Sequence, residues 1–248
     1  MSLRVWILIW SAIAAWLALF AAPAAAQEIS ISLGEDGSLA ARSIQLIILI
    51  TLLSIVPGLA IMITCFPFIV TVLSILRQAI GLQQSPPNML IVSLALFLTY
   101  FVMEPVFTEA WRAGAQPLID GQLEIEEAFS RAMAPFRVFM AGRIQPDTLE
   151  TLAVLRESTA ALTVPTDDAP LSLLVPSFLL SEIERAFQIG FLIFLPFLII
   201  DLVVAAVLMS MGMMMVPPAI IALPFKLAFF VVADGWSLIS GALVQSYF

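Results

Sequence analysis

The sequence contains no histidine and only one cysteine, Cys65. Without histidine, the chain cannot form a Ser–His–Asp triad or a histidine-ligated metal site. A single cysteine cannot form an internal disulfide. The sequence also has no glycine-rich phosphate loop and no cluster of metal ligands. We therefore expect no catalytic residue, no metal and no cofactor, and we predict that the protein is not an enzyme.

Charge is also scarce. Charged residues make up 11% of the 248 residues, and hydrophobic residues make up 62%. Soluble domains of this size are usually about a quarter charged. The net charge of −8 argues against nucleic acid as a partner, because such binding needs a positive surface. This composition predicts an integral membrane protein.

The first 26 residues have the layout of a secretory signal peptide. The apolar segment Val5–Phe20 is followed by Ala24 and Ala26, which fit the small-residue rule for cleavage. Cleavage there would leave the N-terminus outside the cytoplasmic membrane. The alternative is an uncleaved first transmembrane helix, because the apolar segment just reaches spanning length if it continues to Ala22.

Four apolar segments follow a polar N-terminal loop at residues 27–43. We expect an all-α, membrane-associated fold in which they pair as two long, kinked helical hairpins, at residues 44–111 and 186–248. As one straight helix, the first apolar segment would be roughly 50 Å long, well beyond a hydrocarbon core of about 30 Å. Pro57 and Pro67 are therefore predicted to break or kink it.

Residues 112–185 hold most of the charged residues and are predicted to form a small helical insertion outside the cytoplasm. Apolar residues recur there at helical spacing, namely Phe129, Ala132, Met133, Phe136, Phe139 and Met140. Asp147, with Glu150 three residues later, predicts the start of another helix. The segment Glu182–Arg185 is interpreted as a solvated turn at the membrane interface.

The second hairpin bends at a methionine-rich stretch. Within seven residues lie Met209, Met211, Met213, Met214 and Met215, and Pro217 and Pro218 follow. Methionine side chains are unbranched and flexible, so they can refill a gap after it has been deformed. Around a symmetry axis, several copies would form a compliant apolar ring that excludes water and ions yet lets a chain pass. The alternative is that methionine only fills space at a hairpin turn.

Asp201 and Lys226 stand on the two arms of this hairpin, at similar depth below the bend. Ionisable residues inside apolar spans are costly and mark either an ion pair or a functional site. We expect the two residues to pair, within or between subunits, and a proton or ion relay is the alternative. An aspartyl intramembrane protease would need Asp201 to meet Asp234, which is predicted to lie at the other membrane boundary.

Several runs of residues around these positions resemble one family. They are Phe187–Phe191, Pro196–Val203, Gly212–Pro218 and Ala222–Leu227, with Pro86–Asn88 and Leu94–Thr99 upstream. From about Ile44 onwards, the chain resembles the FliP family of flagellar export-gate proteins and its counterparts in virulence-type type III secretion.

The resemblance implies a core subunit of the flagellar type III export gate, in the flagellar basal body at the bacterial inner membrane, with the insertion on the periplasmic side. Five copies would assemble with FliQ and FliR, beside FlhA and FlhB, into a channel for unfolded flagellar proteins. It also implies that residues 209–215 are a gasket that seals the closed channel.

Two other functions remain as alternatives to an export gate. One is a secondary transporter that uses Asp201 and Lys226, and the other is a passive scaffold.

Overall fold

The computed structural model describes residues 39–82, 85–155, 167–213 and 215–248. The predicted signal peptide, with Ala24 and Ala26, and the side chain of Met214 lie outside these ranges. The chain divides into two compact units, residues 1–52 and 53–248, and the described part of the first unit is helical. The packing that follows concerns the second unit.

Within the described ranges the regular structure is helical and contains no strand, which confirms the all-α class. The elements are α1 (Leu39–Met62), α2 (Phe66–Ile80), α3 (Asn88–Ala110), a π-helical turn (Trp111–Ala115), α4 (Gln116–Ile119), α5 (Ile125–Ala141), α6 (Pro146–Ala153), α7 (Leu171–Ser210), α8 (Pro218–Val232) and α9 (Gly235–Gln245).

Three stretches in the described ranges are long and apolar enough to cross a membrane: most of α1, α3 with the turns that follow it, and α7. The pair α8 and α9, bent by 61°, would make a fourth crossing if it acts as one span. The structure therefore contains three or four candidate spans, where the sequence predicted four.

The first predicted apolar segment, which contains Pro57 and Pro67, forms two helices rather than one kinked helix. α1 continues through Pro57 and ends at Met62, and the link Ile63–Cys65 separates it from α2. Pro67 lies in the first turn of α2, where its missing N–H would have no helical partner in any case. The break therefore falls between the two prolines that were predicted to cause it.

The predicted boundary at residue 185 has no counterpart in the structure. α7 is one helix of 40 residues, roughly 60 Å long, so the insertion and the second hairpin share a single element. Glu182 is completely buried in the middle of this helix. The interpretation of Glu182–Arg185 as a solvated turn is therefore wrong, because the carboxylate is bound by protein donors instead of water.

The helices of the insertion follow the predicted apolar stripe only in part. Met140 is fully buried at the end of α5, whereas Phe129 near its start is 63% exposed. Leu149 of α6 and Phe178 of α7 complete the same apolar cluster. α6 begins at Pro146, so a helix starts where Asp147 and Glu150 predicted one, although Gln145 rather than Asp147 occupies the N-cap position.

The main core of the second unit forms where α2 packs against α3 and α7. One face of α2 is completely or almost completely buried, through Phe68, Ile69, Val72, Leu73 and Leu76. α2 approaches α7 closely at Gly190, where an added Cβ would lie 2.4 Å from Cδ1 of Ile75. The absence of a side chain at this position is what allows the two helices to come together.

We expect the substitution Gly190→Val to lower the free energy of unfolding by about 1–3 kcal/mol, because the new side chain overpacks the contact between α2 and α7. Thermal unfolding of the purified protein in detergent measures the effect. Gly241→Val is the matched control, since nothing lies within 4 Å of a Cβ at that helical glycine. Equal unfolding temperatures for the two variants would contradict the close approach.

Candidate functional site

The methionine-rich bend begins where α7 ends. Gly212 has a φ of +75°, a conformation that glycine adopts without strain. Its N–H donates to the carbonyl of Met209, and the N–H of Met213 donates to the carbonyl of Leu208, each at 3.0 Å. These two bonds form a Schellman motif, which satisfies the last carbonyl groups of the helix. Pro217 then occupies the N-cap position of α8.

The four described methionine side chains of the bend do not fill a gap among the described residues. Met209 is 61% exposed, Met211 67%, Met213 42% and Met215 98%. Methionine used as core filler would be buried. These four side chains therefore present an apolar surface that is largely uncovered by the described residues.

A groove separates the two arms of the hairpin below the bend. Its volume is about 420 Å³, and its lining is entirely apolar: Ile199, Ile200, Val203, Val204, Val207, Leu208, Ile221 and Phe225. Side chains that border such a groove have fewer packing partners than those of a closed core. The arms are therefore loosely packed next to the bend.

Asp201 and Lys226 meet beside this groove, and each is next in sequence to one of its lining residues, Ile200 and Phe225. Nζ of Lys226 donates to Oδ2 of Asp201 at 2.6 Å and to the carbonyl oxygen of Ala79 at 3.1 Å. Both residues of the pair belong to one chain. Ala79 lies in the last turn of α2, so the ammonium also binds the negative end of that helix dipole. Lys226 thereby connects α2, α7 and α8.

The burial of the two partners differs. Lys226 is 6% exposed, whereas the side chain of Asp201 is 39% exposed. Asp234 is the N-cap residue of α9, eight positions beyond Lys226 and thus roughly 12 Å farther along the chain. The structure therefore does not bring the carboxylates of Asp201 and Asp234 together, and it provides no aspartyl protease dyad.

Glu182 forms a second ion pair, with Arg143, which was not predicted from the sequence. Its carboxylate accepts hydrogen bonds from Nε of Arg143 at 3.0 Å and from the hydroxyl of Tyr247. A signal was present in the sequence, because Phe178 and Ala186, one turn before and after Glu182, are typical core residues. An acid on the apolar face of a helix needs buried partners.

Two titratable groups near this cluster are held in their neutral forms. Burial, together with the negative charge of Glu182, raises the pKa of Tyr247 far above its ordinary value, so the phenol stays a hydrogen-bond donor. Burial also raises the pKa of Cys65 to about 12. In the folded core the thiol therefore stays protonated at neutral pH, and it reacts slowly because the thiolate is the nucleophile.

Comparison with known proteins gives a consistent result. The family model described as FliP family matches residues 49–243, which include the whole bend and both members of the Asp201–Lys226 pair. The chain is 51% identical over 227 residues to the flagellar biosynthetic protein FliP of Caulobacter vibrioides, and the alignment covers 92% of this chain and 85% of that protein.

Two further relatives carry the same name. The protein from Agrobacterium fabrum is 46% identical over 212 residues, covering 86% of each chain. The protein from Bacillus subtilis is 44% identical over 221 residues, covering 88% of this chain and 98% of that protein. These matches show a family of flagellar biosynthetic proteins rather than enzymes, which confirms the prediction that the protein is not an enzyme. The chain belongs to the FliP family.

Proposed function

We propose that this chain is a core subunit of the flagellar type III protein export gate, and that several copies line a channel sealed by their methionine-rich bends. The observation that supports this most directly is the exposure of Met209, Met211, Met213 and Met215 at the tip of a hairpin. Burying one methionine side chain is worth about 1.5–3 kcal/mol. Copies of the bend that meet at an axis would gain this energy.

The chemistry of the bend suits a seal that must open. Thioether side chains carry no charge and accept hydrogen bonds only weakly, so a closed cluster would offer nothing to hydrate an ion. Their flexible stems can separate around a passing polypeptide and then repack. The groove between α7 and α8 leaves space for the side chains next to the bend to shift.

The base of the hairpin is held more firmly than its tip. Lys226 fixes α8 to Asp201 on α7 and to Ala79 on α2, about 12 Å below the start of α8. Beyond this point the side chains are largely exposed. In the proposed gate, the ion pair is an anchor that confines deformation to the bend.

We further propose the assembly that the family implies: five copies with FliQ and FliR, next to FlhA and FlhB, in the inner membrane at the flagellar basal body. The insertion would face the periplasm, and unfolded flagellar proteins would be the cargo. Large apolar surfaces support contacts with lipid or protein partners, since residues such as Leu53, Phe97 and Leu202 are 70%, 69% and 67% exposed.

The alternative function, a secondary transporter, would use Asp201 and Lys226 as an ion relay. The geometry favours a structural pair, because Lys226 is buried and its ammonium is bound by two oxygen atoms. A passive scaffold would need neither an exposed methionine bend nor a deformable groove. The transporter and the scaffold each predict results that differ from those of an export-gate subunit in the following tests.

Replacing Met213, Met214 and Met215 together with alanine should make the assembled complex leak small ions, because the shortened side chains leave a gap in the seal. Conductance of cell membranes or proteoliposomes measures the leak, and secretion of flagellar proteins is recorded in parallel. Met89→Ala is the matched control, since Met89 is 80% exposed but lies at the start of α3.

The same experiment separates the three functions. A transporter should lose solute flux without a leak, and a scaffold should fail to assemble. A complex that assembles with the triple substitution and still conducts no ions would rule out the methionine seal.

Lys226→Met should destabilise the protein by about 1–3 kcal/mol, because it leaves Asp201 without its cation; partial exposure of Asp201 keeps the loss below that of a fully buried pair. Adding Asp201→Leu should recover most of this loss, since apolar residues of similar volume can replace an ion pair. Thermal unfolding in detergent and assembly with partners measure both variants. A relay would instead lose all function in the double variant even though stability returns.

A further inference from the structure

The last residues of the chain return to the protein core. After α9 ends at Gln245, the backbone carbonyl of Ser246 accepts a hydrogen bond from Nη1 of Arg143 at 2.8 Å. The hydroxyl of Tyr247 donates to Oε2 of the buried Glu182. The guanidinium of Arg143 lies 4.0 Å from the centre of the Tyr247 ring, in a cation–π contact. The tail therefore contacts both members of the ion pair.

These contacts join three parts of the chain that are far apart in sequence. Arg143 belongs to the link between α5 and α6, and Glu182 lies in the middle of α7. Arg185 also approaches the carboxylate of Glu182, at 3.8 Å. Because Glu182 is fully buried, each lost donor leaves part of its charge without compensation. The contacts are therefore expected to form and break together.

The ring of Tyr247 also closes the apolar core. It stacks on Phe139 of α5 with ring centres 6.0 Å apart, and it meets the edge of Phe68 of α2 at 5.6 Å. Cys65, one turn before Phe68, is completely buried in the same cluster. The hydroxyl of Tyr247 thus binds Glu182, while its ring packs in the apolar cluster that contains Cys65.

We propose that Ser246 and Tyr247, together with Arg143 and Glu182, form a C-terminal latch that holds the link between α5 and α6 against α7. α7 continues from the latch to the methionine-rich bend as one helix. The latch therefore holds the link between α5 and α6 in place on α7, the helix that leads to the methionine-rich bend. Release of the tail frees Arg143 and Glu182 from each other and opens the core around Cys65.

The single cysteine is a built-in reporter of this latch. Cys65 is the only thiol in the chain, so labelling by N-ethylmaleimide in native membranes, with the partner proteins present, measures access to one site. Tyr247→Phe removes the hydroxyl but keeps the ring that packs on Phe68 and Phe139. We expect it to speed labelling roughly 10-fold to 100-fold, the effect of losing a hydrogen bond to a charged group. Truncation after Gln245 should speed labelling further.

Two control variants separate the latch from general loosening. Glu184→Gln changes an exposed acid two positions from Glu182, whose carboxylate accepts a hydrogen bond from Gln188 in the same helix. Phe248→Ala changes the last residue, which is 79% exposed. Both should label at the rate of the unchanged protein. Labelling after denaturation gives the total thiol for each variant.

The proposal is overturned if Tyr247→Phe labels at the rate of the unchanged protein. An unchanged rate would mean that the tail contributes only packing. This conclusion does not depend on the truncated variant, which could be degraded before it is measured. It is also overturned if Glu184→Gln labels as fast as Tyr247→Phe, since the charge near α7 rather than the tail would then control access to Cys65.

Discussion

The ammonium of Lys226 is the group on which the arrangement of the second hairpin depends. A buried cation in an apolar hairpin must have acceptors, and here these come from two other helices, the side chain of Asp201 and the carbonyl of Ala79. The contact fixes the position of α8 along both α7 and α2. The bend above it is thereby held at a defined height, although its own side chains make few contacts.

α7 carries a bound acid at each of two levels, Glu182 in its first third and Asp201 nearer the bend. The two positions are roughly 28 Å apart along the helix. Each acid pairs with a base from a different helix or link, Arg143 or Lys226. Between and around these polar contacts the surface is apolar and largely exposed. The chain therefore combines firm internal anchors with large apolar surfaces of the kind that contact lipid or protein neighbours.

Local chemistry made part of this structure predictable. The apolar runs indicated helices, and the glycine and prolines around residues 212–218 indicated a sharp bend. The similar spacing of Asp201 and Lys226 from that bend predicted that they lie at similar depth. The break between α1 and α2 was less predictable, because proline does not stop a helix when it lies in the first turn or when the surroundings support it. The continuous course of α7 past residue 185 also needed tertiary contacts.

By itself, the sequence determined the helical class, the membrane character, the lack of catalytic groups and the position of the methionine-rich bend, because these follow from composition and short-range spacing. Only the tertiary structure decided that Glu182 is a buried ion and that Tyr247 returns to bind it. Arg143, Glu182 and Tyr247 are far apart in the chain, and burial of a charge depends on donors that no local pattern contains.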